Sequence, residues 1–231
     1  MNRKSDTRTK GGKSSPGRPR KFEFEDIVSA ALEVMEEEGY STLTMRSLAN
    51  KLGIAHGNLY TYVGHIEDVE TAVLKRLLDS LPTPPPAPVG AAELRIRFVE
   101  FLHAARRALI RHPRIMQSTL GSQAWHSFSA LSLQWTAALG AVEKDGPGAM
   151  TGFSVAISFI ASHAERERLH GPDYMAQGLS LLKQRHDAQL IAPLIEQSRA
   201  EPGVTPLDRS LDLILDRMFP KMAAAHRRRR S

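Results

Sequence analysis

Apolar residues recur along almost the whole chain at intervals of three and four, the spacing that lines one face of a helix. The first stripe is Ile27, Ala30, Ala31, Val34 and Met35, ended at Gly39 as by a C-cap. A short helix is predicted over Met45 to Leu52 with Thr44 as its N-cap, and another over His56 to Val63. A fourth opens at Glu67 and Asp68, whose charges suit a helix N-terminus, and runs toward Leu81. Five prolines then fall within Pro82 to Pro88, a stiff connector that no helix crosses.

Beyond the connector the helical period resumes. Ala91 to Ile110 carries Leu94, Phe98, Phe101, Leu102, Ala105 and Leu109 on one side and stops at His112-Pro113. Ser122 to Val142 follows, closed by the turn Lys144-Asp145-Gly146-Pro147-Gly148. Ala149 to His170 is the most apolar segment and ends at Gly171-Pro172. Helices over Tyr174 to Ala200 and Leu207 to Met218 complete the set. Sustained alternation with β-branched residues is missing, so the expected fold class is all-α. The expected division is a basic arm over 1–20, a helix-turn-helix domain over 21–81, the connector over 82–90, a larger helical domain over 91–220 and a basic tail over 221–231.

The segment Thr44 to Tyr62 carries the most chemistry. Two helices crossing steeply about a tight turn need a small residue at closest approach, here Ala49, and a positive φ four residues on, here Gly53. Leu48, Leu52, Ile54 and Leu59 are placed to seal the angle. The second helix is about 12 Å long, a fit for a major groove of similar width. It presents His56, Gly57, Asn58, Tyr60, Thr61 and Tyr62. Asn pairs with adenine, Thr packs on or bonds a base, and Tyr hydroxyls reach phosphates. Gly57 lets the backbone come close to the DNA. Arg46 supplies the one guanidinium placed for a guanine.

Gly39, Thr44-Met45-Arg46, Leu48-Ala49, Leu52-Gly53-Ile54, Gly57-Asn58-Leu59-Tyr60-Thr61-Tyr62-Val63 and Glu67-Asp68-Val69 together resemble the DNA-binding domain of the TetR family of bacterial regulators, over about residues 22–80. The resemblance implies a three-helix DNA-binding domain, a larger helical domain that dimerises and binds an inducer, and a dimer built on the last long helices. Two positions depart from the family pattern. Ala55 stands where a serine or threonine usually caps the recognition helix, and Ile66 where a basic residue usually meets a phosphate.

Charge changes the picture at the two ends. The chain of 231 residues has a net charge of +6, but residues 1–21 alone carry +7 and residues 221–231 carry +5, so the body between them is acidic at −6. The tails are therefore expected to supply much of the attraction to phosphate. Within the arm, Pro16-Gly17-Arg18-Pro19-Arg20-Lys21 resembles an AT-hook core. Pro19 keeps the strand extended, and Arg18 and Arg20 can enter a narrow A·T minor groove. The rival reading is an architectural DNA binder that uses tails and hook without choosing a sequence.

The remaining residues mostly exclude. There is no cysteine, hence no disulfide or thiolate chemistry. The longest apolar run, Phe153 to Ala161, is about half a bilayer span and holds serines. The basic N-terminus leads into no apolar segment, so a cytoplasmic protein is expected. In the larger domain Phe101, His103, Met116, Trp125, Phe128, Trp135, Phe153 and His163 are the candidates for a ligand cavity, which the resemblance implies. His163 and His170 share a helix face but lie roughly 10.5 Å apart along its axis, too far for one metal ion. No cofactor and no enzymatic site are expected. The expected partners are double-stranded operator DNA, a small-molecule effector and a second copy of the chain. Ala149 to Ser162 and Leu207 to Met218 are the candidates for the dimer contact.

Overall fold

The computed structural model describes residues 21–38, 43–113, 123–143, 146–175, 177–178 and 204–230. Among them lie α-helices and no strand. In chain order these are α1 Phe24–Glu38, α2 Met45–Lys51, α3 His56–Leu59, α4 Ile66–Asp79, α5 Ala91–Arg111, α6 Gln123–Glu143, α7 Gly146–His170, α8 Pro206–Met218 and α9 Pro220–Arg230. Gly39, Met116 and most of the helix expected over Tyr174 to Ala200 lie outside the described residues, as do Arg18 and Arg20.

Two apolar cores organise the helices. The smaller gathers Ile27, Ala31, Val34 and Met35 of α1 with Leu48 and Ala49 of α2, Leu59 of α3, and Val69 and Val73 of α4. The larger is built on aromatic rings. Phe98 and Phe101 of α5 stack 6.0 Å apart, Trp135 of α6 lies 5.2 and 5.1 Å from them, and Phe153 of α7 closes the group. Between the cores, Leu74 and Leu78 of α4 pack on Ala108 and Leu109 of α5 and Phe128 of α6. Trp135 is fully buried, and its indole N–H donates to the carbonyl of Pro82 at 3.2 Å, which ties the start of the connector to the larger core.

The segment expected as a basic tail is instead helix α9. Phe219, Met222 and Ala223 are fully buried in the larger core, an i, i+3, i+4 set masked by a sequence of alanines and arginines. Phe219 lies edge-on to Phe98, and the backbone N–H groups of Lys221 and Met222 donate to the Glu143 carboxylate at 3.1 and 3.0 Å. Below this contact Arg95 of α5, 1% exposed, reaches Asp212 at 2.7 Å and Asp216 at 2.9 Å on α8, and Arg227 of α9 also meets Asp216. The helix-turn-helix lies toward the other end of α5, where His112 faces Glu36 of α1. With about 30 Å of helix between the two ends, the C-terminal arginines are placed away from the reading helix of the same chain. The turn expected at 144–148 is also shorter, because α7 already includes Gly146 to Gly148, where Pro147 suits a first helical turn.

Gly152 of α7 faces the Phe219 ring so closely that an added Cβ would overlap it. Both groups are buried, so the ring has nowhere to move. Gly152→Ala is expected to destabilise the chain by about 1–3 kcal/mol, read from the midpoint of urea unfolding. Burial, helped by the nearby Arg106, holds the His163 imidazole below its ordinary value, and burial does the same to His112. A histidine kept neutral in the fold costs nothing above the unfolded value near 6.5. As pH falls below it, the unfolded chain takes up the proton first and stability drops. Melting temperature is therefore expected to fall steadily from about pH 6.5 to pH 5, with a shallower slope in His163→Asn.

Candidate nucleic-acid interface and effector cavity

Helices α2 and α3 are held at a steep angle by a few local devices. Thr44 caps α2: its hydroxyl accepts from the Ser47 N–H at 3.0 Å, and the Ser47 hydroxyl accepts from the Thr44 N–H at 2.9 Å. Gly53 has φ +64°, and the following Ile54 N–H donates back to the Ala49 carbonyl at 3.1 Å. Lys51 Nζ fixes α2 to α1 through Glu37 at 2.9 Å and Glu33 at 3.1 Å. These carboxylates hold its ammonium above its ordinary pKa. Leu59 and Val63 anchor the underside of the reading segment in the small core.

The reading helix is shorter than the spacing predicts. After Leu59 the chain tightens, with Thr61 N–H donating to the Asn58 carbonyl and Tyr62 N–H to the Leu59 carbonyl, so residues 60–62 continue as turns. Ala55, His56, Gly57, Asn58 and Thr61 are exposed, as are Thr44 and Arg46. Tyr60 is 53% exposed, with its ring edge-on to His56 at 5.3 Å. The Thr61 hydroxyl donates to the Asn58 carbonyl at 2.7 Å. Ala55 offers no side-chain cap to α3, in keeping with the departure seen at that position. Gly57 meets no atom that a Cβ would disturb, so nothing inside the protein asks for glycine there.

Tyr62 is the exception. It is half-buried, packs edge-on to Phe22 at 6.1 Å, and its hydroxyl accepts from the Lys21 N–H at 3.2 Å. The pair places the start of the chain's basic arm beside the reading segment. Lys21 was not among the expected site residues, and its backbone role has no side-chain signature in a sequence. Ile66 is half-buried against the small core, which accounts for the missing basic residue at the start of α4. The carboxylate of Asp68 is turned back to accept from the His65 N–H at 3.2 Å.

In the larger domain a cavity of about 40 Å³ lies where α4, α5, α6 and α7 meet. Of the expected ligand residues it gathers Phe101, Phe128 and Phe153. Trp135 stacks behind Phe101 in the core, and of the Trp125 side chain nothing is described. The two histidines point elsewhere. His103 pairs with Asp208 of α8 at 3.0 Å, and His163 bonds the Tyr174 hydroxyl through Nδ1 at 2.8 Å while Nε2 lies 3.7 Å from Glu167. Glu167 in turn binds Arg106. Both are partnered groups of the fold and neither is an anchor in the cavity. The wall residues that the sequence did not single out include Leu77 and Leu78 of α4, Leu81 just after it, Ala108 of α5, Leu131 and Ser132 of α6, and Ile157 of α7. The apolar period of α4 continuing past Val73 is the signal that could have found the first two.

Two short helices crossing about a positive-φ glycine, with the second helix exposed and anchored from below, define a helix-turn-helix domain. Residues 27–68 match the family model described as bacterial regulatory proteins, tetR family. A helix-turn-helix-type transcriptional regulator of Mycobacterium tuberculosis is 36% identical over 107 residues, which are 46% of this chain and 49% of that protein. The match thus spans about half the length of this relative. Among solved structures, apo ActR from Streptomyces coelicolor aligns with a TM-score of 0.62 at 22% identity, over 88% of this chain and 98% of that one. BioQ, solved with its double-stranded DNA operator, aligns with a TM-score of 0.50 at 22% identity, over 71% of this chain and 96% of that one. Residues 27–68 thus carry a helix-turn-helix of the tetR family type, and the all-helical fold that continues after it is similar to that of ActR.

Because Gly53 sits at φ +64°, any side chain there is strained although the space around it is open. Gly53→Val is expected to cost about 1–2 kcal/mol. Hydrogen exchange should show the loss concentrated in α2 and α3, with α5 to α9 protected as before.

Proposed function

We propose that this chain is a homodimeric transcriptional repressor that holds a pseudo-palindromic operator through α3 and is released by a small molecule entering the cavity between α4 and α7. The observation that carries the reading is the exposed face of the α3 segment. His56, Gly57, Asn58 and Tyr60 stand free of the core while Leu59 and Val63, with Tyr62 beside them, hold the segment in place. A surface so rigidly backed yet so little used by the fold suits contact with base edges and phosphates. The operator complex of BioQ and the ActR structures solved with actinorhodin and with (S)-DNPA support both halves of the reading.

Two half-sites about 34–36 Å apart need two reading helices. The second copy is proposed to meet the outward faces of α7 and α8, where Met150 is 54% and Leu213 72% exposed and Val155 lies beside them. The basic arm leaves the fold at the Lys21–Tyr62 bond, and Arg18 and Arg20 are proposed to follow the adjacent minor groove. The site of action is then the cytoplasm, where the DNA is. No described helix is long and apolar enough to cross a membrane.

Selection of bound DNA from a random pool is expected to return an inverted repeat. On that operator, Asn58→Ala and Tyr60→Ala should each weaken binding by about tenfold or more, with the oligomeric state unchanged. Replacing Arg18 and Arg20 together by Ala should flatten the slope of log affinity against log salt by roughly 2. Unchanged operator affinity in the α3 variants would reject this helix as the reader.

A further inference from the structure

The cavity is placed where an occupant would touch the helix that carries the DNA-binding domain, and its wall says what that occupant is. One side is made by Leu77 and Leu78 of α4 and by Leu81, just past its C-terminus. The others are Ala105, Ala108 and Leu109 of α5, then Phe128 and Leu131 of α6 and Ile157 of α7. The one polar side chain in the wall is Ser132. Its hydroxyl proton is already committed, donated to the Phe128 carbonyl at 2.7 Å, so what Ser132 offers an occupant is an acceptor lone pair. The charged groups of this part of the molecule are engaged away from the cavity: His103 with Asp208, and Arg106 with Glu167.

We infer that the effector is an uncharged, largely hydrocarbon molecule that carries a single hydrogen-bond donor directed at Ser132. This rests on the reading of the cavity as the effector site and adds its chemistry. A carboxylate or ammonium group in such a wall would be buried with no counter-charge and no donor, which is far costlier than burying hydrocarbon. At about 40 Å³ the space holds a few waters' worth of volume. A ring system therefore enters by pushing aside Phe128 or the α4 leucines, and a ligand that favours a displaced α4 is one that can bias the helix carrying the DNA-binding domain.

The test uses three probes of one shape on the full chain: 2-naphthol, 2-naphthoate and 2-naphthylmethylammonium, by calorimetry and by operator binding. The expected result is saturable binding of naphthol, with both ions at least about 100-fold weaker. Ser132→Ala should weaken naphthol about 5–10-fold while leaving naphthalene unchanged. Ala108→Phe and the milder Ser132→Leu, each checked for native helicity, should weaken naphthol about tenfold or more by filling the space. Ala141→Trp, in the separate groove between α6 and the proline connector, should change nothing. Equal binding of the ions, no binding of naphthol, or loss confined to Ala141→Trp would each overturn the inference. Naphthol binding that follows the variants without releasing operator leaves the ligand chemistry standing and rejects the effector role instead.

Discussion

Helix α4 is buried twice. Val69 and Val73 complete the small core under the reading helix, and one turn later Leu74 and Leu78 are locked against α5 and α6. Each fully buried side chain of this kind contributes about 1.5–3 kcal/mol, so neither core can release the helix cheaply. The Arg76 guanidinium adds a hydrogen bond to Ser29 of α1 at 2.7 Å. A rigid rod of 14 residues shared by two cores cannot shift in one without shifting in the other. The orientation of the reading helix is thereby a property of the larger domain as much as of its own.

The cavity sits at the third face of the same rod. On the proposed reading nothing needs to be transmitted through a chain of intermediates, because Leu77 and Leu78 belong both to the cavity wall and to α4. The upper end of the rod is held as well, since Trp135 grips the Pro82 carbonyl and stacks on Phe98 and Phe101. A ligand that favours a displaced α4 works against packing and one hydrogen bond. Its leverage is limited to its difference in affinity for the two positions. A wall without charge makes that difference a matter of shape and hydrocarbon burial, which is soft enough to be reversible.

Much of this was legible in the residues. The helical period, Thr44 as a cap and Gly53 as a positive-φ turn are local signals, and each is set by chemistry within a few residues of itself. The family resemblance on Leu59-Tyr60 and its flanks led to the same helix pair. What escaped is non-local. Pairing of His103 with Asp208, and of His163 with Tyr174, depends on which helices become neighbours, and aromatic or imidazole character alone does not separate a wall from a core. Helix α9 was hidden because its own buried residues, Met222 and Ala223, stand among alanines and arginines, while the gap that receives the preceding Phe219 lies at Gly152, distant in sequence. The packing of Tyr62 on Phe22 was hidden for a similar reason, since its hydrogen-bond partner is a backbone N–H.

The placement of charge completes the logic of the interface. Lys51 is consumed by Glu33 and Glu37, the start of α4 presents Glu67 and Asp68, and the C-terminal arginines ride on α9 at the far end of α5. Of the cations near the reading helix, Arg46 and Lys21 remain at the surface. On the proposed reading a duplex would meet, in the folded domain, mostly neutral hydrogen-bonding groups such as Asn58, Thr61 and Tyr60. Such groups discriminate between sequences but attract weakly at a distance. On the same reading long-range attraction would fall to the +7 of residues 1–21, whose last residue, Lys21, is bonded to Tyr62. Such a separation of tasks would let an acidic body keep away from DNA in general while the proposed arm brings the exposed α3 surface to the duplex.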